Sequence, residues 1–326
     1  MNMLEADFSP LDGMDYHFSS YLRNKERKEQ GHMSGNGLPD YGFDLDYELR
    51  KKLDSIPNLY RSAQTIVGTY ASQQIRKCNL SMLAVGPKQF SEVYQVACDC
   101  ARILGIGIPN VFIMNNPAVD AYTIATDDIE PVIVVYSGLL ERFSLGELRC
   151  VIGHECGHIH NQHSIYQTAV QLFMGVLSSS TDKFSMGRLL SASSVLLLKA
   201  WSRASEVTAD RAAMICSENL EDAYHVNAKL LYGAAFGERQ INYEAIREQL
   251  EDEISNPSKY YELTDTHPTA SRRIAAQQEF AECETLYKWR PELRSADLIM
   301  RTRAETEARC RRYLRLSQSE RAGDRE

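Results

Sequence analysis

The hydrophobic pattern divides the chain into a helical beginning, a short block of strands and a long helical remainder. Apolar residues recur at helical spacing over residues 45–78, with an interruption near Pro57, and residues 79–85 are predicted to form a short strand. Pro87 suits the first turn of a helix and predicts one that continues to about Leu104. Three segments with β-branched or aromatic residues, which predict a small sheet, follow at residues 111–114, 121–125 and 132–136.

After residue 138 the pattern becomes helical and remains so. Ser144 and Glu147 form an S-x-x-E capping box in front of an apolar run, which predicts a helix from Ser144 to about His163. Further helices are predicted over residues 164–177, 186–219, 220–235, 243–254, 269–287 and 296–316. A small sheet early in the chain and a helical body after it predict a mainly helical α+β fold.

Three segments are predicted along the chain. Residues 1–40 contain a charge run followed by several glycines, which is typical of a flexible tail. Residues 41–288 are expected to form the main domain, and residues 289–326 an Arg-rich helical extension. This extension has eight arginines and four acidic residues between Arg290 and Arg315. A solvated helix is the favoured interpretation, and a face for an acidic partner or a nucleic acid is the alternative.

Composition narrows the class of protein. The net charge of the 326 residues is −8, which argues against a nucleic-acid binder. No basic segment followed by an apolar stretch opens the chain, and no apolar run approaches the roughly 20 residues of a membrane span. We therefore expect a soluble, cytoplasmic protein. Its eight scattered cysteines are expected to be free, mostly buried thiols.

The helix that begins at Ser144 contains an H-E-x-x-H sequence at residues 154–158. His154 and His158 are one turn apart on the same face, so both imidazoles can reach one zinc ion. Glu155 is rotated by about 100° from His154 and can accept a proton from water beside the metal. Cys156 faces away from the two histidines and is expected to pack as a small apolar group. Gly157, a weak helix former, indicates a close approach by another part of the chain.

A catalytic zinc site usually has three protein ligands, so a third ligand must come from elsewhere. A histidine six residues after His158 would complete one known scheme, but Ser164 occupies that position. His163 lacks the required spacing and is interpreted as a structural or surface histidine. Glu206 and Asp210 form an E-x-x-x-D pair on one face of a predicted helix. Glu206 could bind the metal while Asp210 holds a ligand histidine, and a solvated carboxylate pair is the alternative.

Four blocks of sequence resemble the HtpX and CAAX prenyl endopeptidase family of gluzincin zinc peptidases, especially its soluble minigluzincin members. The blocks lie at residues 110–125, 137–158, 202–213 and 266–274, and together they span about half the chain. This resemblance implies a zincin-type fold in which an edge strand lies above the H-E-x-x-H helix. It implies a zinc-dependent endopeptidase that acts on polypeptide substrates.

The resemblance also implies roles for individual residues. One zinc ion per chain would be held by three ligands, His154, His158 and Glu206. Glu155 would be the general base and then the general acid. Asp210 would support the site.

The resemblance extends to three residues beside the metal site. His267 and Arg273 would lie near the active site and stabilise the tetrahedral oxyanion, and Ala121 would lie on the strand that binds the substrate backbone. The chain departs from the family at Asp120, where the family usually has asparagine. It also lacks the family's transmembrane hairpin, because residues 164–201 contain only short apolar runs. These runs are interpreted as core helices, with peripheral membrane contact as the alternative.

Two other functions share features of this pattern. A catalytically inactive relative that acts as an interaction protein would keep the same fold. A di-iron carboxylate protein would need a second E-x-x-H sequence on a core helix, in addition to that of Glu155 and His158. The only further copy, Glu29 to His32, lies in the polar tail. The zinc endopeptidase is therefore the preferred prediction.

Overall fold

The computed structural model describes residues 38–126, 129–178, 192–232, 241–254 and 265–314. The first helices are α1 (Asp44–Asp54), α2 (Leu59–Ser81) and α3 (Ser91–Leu104). The predicted break near Pro57 separates α1 from α2. The predicted strand at residues 79–85 is mostly wrong, because α2 continues to Ser81. Pro87 does not open α3, since Phe90 adopts a left-handed conformation (φ 55°) and the helix begins only after it.

A four-stranded mixed sheet follows from the predicted strand block. Its strands are β1 (Leu83–Ala84), β2 (Asn110–Met114), β3 (Ala121–Thr126) and β4 (Ile129–Tyr136). The order is β1-β2-β4-β3, with β2 parallel to β4 and the other two pairs antiparallel. Four consecutive apolar residues of β4, from Val132 to Val135, are buried, as expected for an interior strand. The strand order places β3 at one edge of the sheet.

The rest of the described chain is helical, which confirms the mainly helical α+β prediction. The helices are α4 (Ser137–Arg142), α5 (Leu145–His160), α6 (Ser164–Ser178), α7 (Ala192–Cys216), α8 (Leu220–Tyr232), α9 (Tyr243–Ile254), α10 (Ala270–Ala281), α11 (Glu284–Trp289) and α12 (Arg303–Leu314). Residues 1–37 of the tail predicted over residues 1–40, together with residues 315–326, lie outside the described residues. No helix in the described ranges is long and apolar enough to cross a membrane.

Two of the helices predicted after residue 268 have different bounds. The helix expected over residues 269–287 is interrupted at Cys283, where α10 has ended and α11 has not begun. Phe280, Cys283 and Leu286 are all buried in the same cluster. The apolar residues therefore keep helical spacing across the break, and the sequence pattern does not predict it. The helix expected over residues 296–316 begins only at Arg303.

The C-terminal helix α12 packs against the body with one face. Its Glu307 is buried and forms an ion pair of 2.6 Å with Arg211 of α7. Cys310 and Tyr313 are also buried. Several arginines in or near α12 pair with acidic residues of the body: Arg301, Arg303, Arg309 and Arg311. The prediction of a solvated helix therefore holds for only part of α12, and the domain boundary at residue 288 stays a prediction.

Candidate active site

The predicted capping box begins the helix that carries the H-E-x-x-H sequence. The backbone amide of Ser144 donates to Glu147, and the backbone amide of Glu147 donates to the Ser144 hydroxyl. Glu147 is buried and also pairs with Lys229 of α8 at 2.6 Å. Helix α5 ends at His160 rather than His163, because Gln162 has a left-handed backbone (φ 57°). The cap and the ion pair fix the direction in which α5 enters the core.

Two glycines let α5 lie directly against α7. A Cβ atom on Gly157 would be 2.6 Å from the Cβ of Ala212, and one on Gly153 would be 2.7 Å from the Cβ of Cys216. Real Cβ atoms do not approach so closely, so the helix contact requires glycine. The expectation that Gly157 marks a close approach is confirmed. Cys156, also as expected, is fully buried in the apolar core.

Gly157→Ala should destabilise the protein by up to about 2 kcal/mol. Inserting a methyl group into a packed contact typically costs about 1–3 kcal/mol, and the better helix propensity of alanine offsets about 1 kcal/mol. Gly68→Ala is the matched control, since nothing lies within 4 Å of a Cβ at Gly68 in α2. That variant should be as stable as the parent or slightly more so. Urea unfolding of the three proteins measures both effects, and equal stability for the two variants would contradict the proposed contact.

The contact between α5 and α7 brings His154, His158 and Glu206 together. The Nε2 atoms of the two histidines are 3.1 Å apart. The Glu206 carboxylate oxygens lie 3.3 Å from Nε2 of His154 and 3.5 Å from Nε2 of His158. Ligands at 2.0–2.1 Å from a tetrahedral ion are separated by about 3.3 Å. The three side chains therefore fit around one metal ion, and they are the group that could hold one among the described residues.

Burial and mutual charge set the protonation of these groups. Burial lowers the pKa of His154, but the hydrogen bonds that its ring donates to Asp210 and Glu206 outweigh burial and raise the pKa to about 9. Burial holds the pKa of His158 well below its ordinary value. Burial also opposes ionisation of Glu206, yet neighbouring histidines bring its pKa well below the usual range. Metal binding would thus displace a proton from His154.

Asp210 and Arg273 form a second layer behind His154. Oδ1 of Asp210 is 3.1 Å from Nδ1 of His154. Arg273 of α10 donates to both carboxylate oxygens of Asp210, through Nε at 2.8 Å and Nη2 at 2.5 Å. Because burial opposes the charge but Arg273 stabilises it, the pKa of Asp210 is lowered. A carboxylate on the outer nitrogen of a ligand histidine fixes the tautomer and orientation of the ring.

Glu155 lies beside the metal-binding group, and β3 supplies its partner. The Thr123 hydroxyl donates to Oε2 of Glu155 at 2.6 Å. Burial raises the pKa of Glu155 to about 6, although His154 and this hydrogen bond act in the opposite direction. A carboxyl group with a pKa near 6 is well matched to proton transfer near neutral pH. Thr123 was not among the residues predicted from the sequence.

A cleft of about 410 Å³ runs between the edge strand and the helices. Ala121 and Asp120 line it on the β3 side, and His267 also lines it. Nε2 of His267 is 3.6 Å from Glu206, and the His267 side chain is 54% exposed. Oδ1 of Asp120 accepts a hydrogen bond from the backbone amide of Ala121, and burial raises the pKa of Asp120. All the site residues predicted from the sequence therefore meet around one cleft.

Besides Thr123, the structure adds two residues that sequence reasoning missed as parts of the site. His163 is buried, as expected for a structural histidine, but its Nδ1 lies 3.0 Å from Nδ1 of His158. Its other ring nitrogen lies 3.0 Å from Asp46 of α1. Asp46 shares the buried face of α1 with Leu49 and Leu53. An acidic residue within an apolar stripe was the signal that could have found it.

Comparison with known proteins gives a consistent result. Residues 87–281 match the model of "Peptidase family M48". The plastoglobule-localized metallopeptidase 48, chloroplastic, of Arabidopsis thaliana is 28% identical over 211 residues, which are 64% of this chain and 60% of that protein. A protease HtpX homolog of Caldanaerobacter subterraneus subsp. tengcongensis is 28% identical over 113 residues, 35% of this chain and 38% of the relative. The chain thus matches about 40 to 60% of the length of these curated relatives.

Proposed function

The chain belongs to peptidase family M48, and from this premise we propose that it is a zinc-dependent endopeptidase with Glu155 as its general base. Membership supports the proposal that it is a metallopeptidase of the hydrolase class that acts on polypeptides. The observation that carries the finer proposal is the cluster of His154, His158 and Glu206, with Glu155 beside it. Two imidazoles, one carboxylate and an open cleft are the donor set typical of a catalytic zinc site.

The three ligand groups suit zinc for a chemical reason. Zinc accepts nitrogen and carboxylate oxygen ligands in tetrahedral geometry, whereas magnesium and calcium prefer oxygen ligands alone. We assign His154, His158 and Glu206 as the groups that would hold it. When bound, zinc supplies Lewis-acid chemistry that polarises a peptide carbonyl and makes water more acidic.

The remaining steps belong to side chains of this chain. Glu155 takes a proton from the attacking water and then delivers it to the leaving amine. The Thr123 hydroxyl orients the Glu155 carboxylate for both transfers. We assign His267 as a donor to the oxyanion because it borders the cleft and is half-exposed. Arg273 has its Nε and Nη2 engaged by Asp210 and its Nη1 3.8 Å from Oε2 of Glu206, so its contribution to oxyanion stabilisation would come from its charge.

The substrate backbone is proposed to bind along β3. This strand is at the edge of the sheet, and residues 119–123 line the cleft beside Glu155. An extended peptide can add to such an edge through main-chain hydrogen bonds, which would place internal peptide bonds over the metal site. Ala121 would contact that backbone.

The cytoplasmic location stays a prediction, since the name of the Arabidopsis relative assigns that protein to plastoglobules.

Cleavage of casein and of a peptide library by the purified protein tests the proposal. Internal cleavage is expected with the zinc-loaded protein, loss of cleavage after chelation, and recovery when zinc is added back. Cleavage that persists in excess chelator would contradict the metal dependence. Bound zinc without cleavage of any substrate would favour the alternative of an inactive relative that acts as an interaction protein.

A further inference from the structure

A line of buried hydrogen bonds leads from the metal-binding group to the N-terminal helix α1. Nδ1 of His158 is 3.0 Å from Nδ1 of His163, and Nε2 of His163 is 3.0 Å from Oδ2 of Asp46. All three residues are less than a tenth exposed. The Nε2 atom of His158 faces His154 and Glu206, so its Nδ1 is the atom that points away from the metal site.

When His158 binds a metal through Nε2, only one arrangement of protons allows both of these hydrogen bonds to form. The Nδ1 atom of His158 must then carry its proton and donate it to Nδ1 of His163. His163 accepts at Nδ1, so its own proton is on Nε2, where it can be donated to Asp46. An ionised Asp46 can only accept, which favours this arrangement over the reverse one.

Asp46 is itself held in place by α7 and by the segment before α1. The Thr208 hydroxyl donates to Oδ2 of Asp46 at 2.7 Å, and the backbone amide of Phe43 donates to Thr208. The ring of Trp201 packs edge-on against His163 with 5.7 Å between centroids. Neither His163 nor Asp46 can rotate freely within these contacts.

We propose that Asp46, acting through His163, is a positioning residue that holds His158 in the tautomer and orientation needed to bind zinc. The proposal rests on the zinc site proposed above. Asp46 precedes residue 87, where the match to the family model begins, so a helix outside the matched region contributes to the metal site. Asp210 has the corresponding position on His154. Each histidine of the H-E-x-x-H sequence therefore has its own carboxylate, one direct and one through a second histidine.

Asp46→Asn tests the proposal with little change in shape. The amide can donate a proton to Nε2 of His163, which permits the reverse arrangement and puts the His158 proton on the metal-binding nitrogen. Asp54→Asn is the matched control, since Asp54 lies on the same helix and bonds the Tyr166 hydroxyl away from the metal site. Zinc affinity is measured by competition with a chromophoric chelator, and the melting temperature of the metal-free proteins is measured alongside.

Zinc affinity is expected to fall about 10-fold in Asp46→Asn and to stay unchanged in Asp54→Asn. An unchanged affinity in Asp46→Asn, whatever its melting temperature, would overturn the proposal. Equal losses of zinc affinity in both variants would also overturn it, because both substitutions would then act by destabilising α1. A parent protein that binds no zinc would instead refute the proposed function, and this inference with it.

Nitrogen-15 spectra of the histidine rings in the zinc-loaded parent provide a second readout that a merely structural role would not produce. His163 is expected as the neutral tautomer with its proton on Nε2. Asp46→Asn should shift His163 toward the Nδ1-protonated form. A parent in which His163 already carries its proton on Nδ1 would contradict the proposed arrangement.

Discussion

Glu206→Ala is expected to weaken zinc affinity by roughly 10²- to 10³-fold. Structural zinc sites with four ligands have binding free energies of about 10–16 kcal/mol, so one ligand contributes roughly 3–4 kcal/mol. Each 1.4 kcal/mol corresponds to a tenfold change in affinity. Glu206 is also the group that lies within 3.5 Å of both His154 and His158. Competition with a chelator measures the loss.

Two further variants distinguish ligand loss from a general disturbance of α7. Glu206→Gln keeps the shape and one oxygen but removes the charge, so an intermediate loss is expected. Glu218→Ala removes a carboxylate just beyond the end of α7 whose side chain is 72% exposed, and should leave zinc affinity unchanged. Parental affinity in Glu206→Ala would show that the metal has other ligands. Circular dichroism of the metal-free proteins checks that each variant is folded.

Local signals predicted most of the fold. The capping box at Ser144, the break at Pro57 and the strand block from residue 111 depend on neighbours along the chain, and the structure has all of them. The errors occur where a helix begins or ends without a local signal in the sequence. Phe90 adopts a left-handed backbone that favours glycine or asparagine, so its residue type did not predict the late start of α3. Cys283 interrupts a helix whose apolar period continues.

The site residues also divide into those that local spacing predicts and those that depend on tertiary packing. His154, Glu155 and His158 have fixed positions on one helix, so helical spacing alone predicts their relation. The pair Glu206 and Asp210 could be recognised as sharing a face, and the structure puts both beside His154. Thr123 and Asp46 reach the site from elements far away in sequence. Their roles depend on how the strand and α1 pack, which no local pattern contains.

Glu155→Gln is expected to lower kcat by about 10²- to 10⁴-fold, which is the usual contribution of general acid–base assistance. Glutamine has nearly the same shape but cannot take the proton of the attacking water. Its amide oxygen can still accept the hydrogen bond from the Thr123 hydroxyl, so the local structure should persist. Zinc content should hardly change because Glu155 lies beside the proposed ligands. Peptidase rate, zinc stoichiometry and melting temperature are measured together for variant and parent.

Thr123→Val is the matched control for the role of orientation in the Glu155 mechanism. Valine keeps the β-branched shape in β3 and removes only the hydroxyl that bonds Glu155. The carboxylate remains a base but loses its partner, so kcat should fall much less than in Glu155→Gln. Full activity in Glu155→Gln would exclude Glu155 as the base. A loss of zinc in that variant would instead show that Glu155 binds the metal, since a proton carrier beside the ion has no reason to affect its retention.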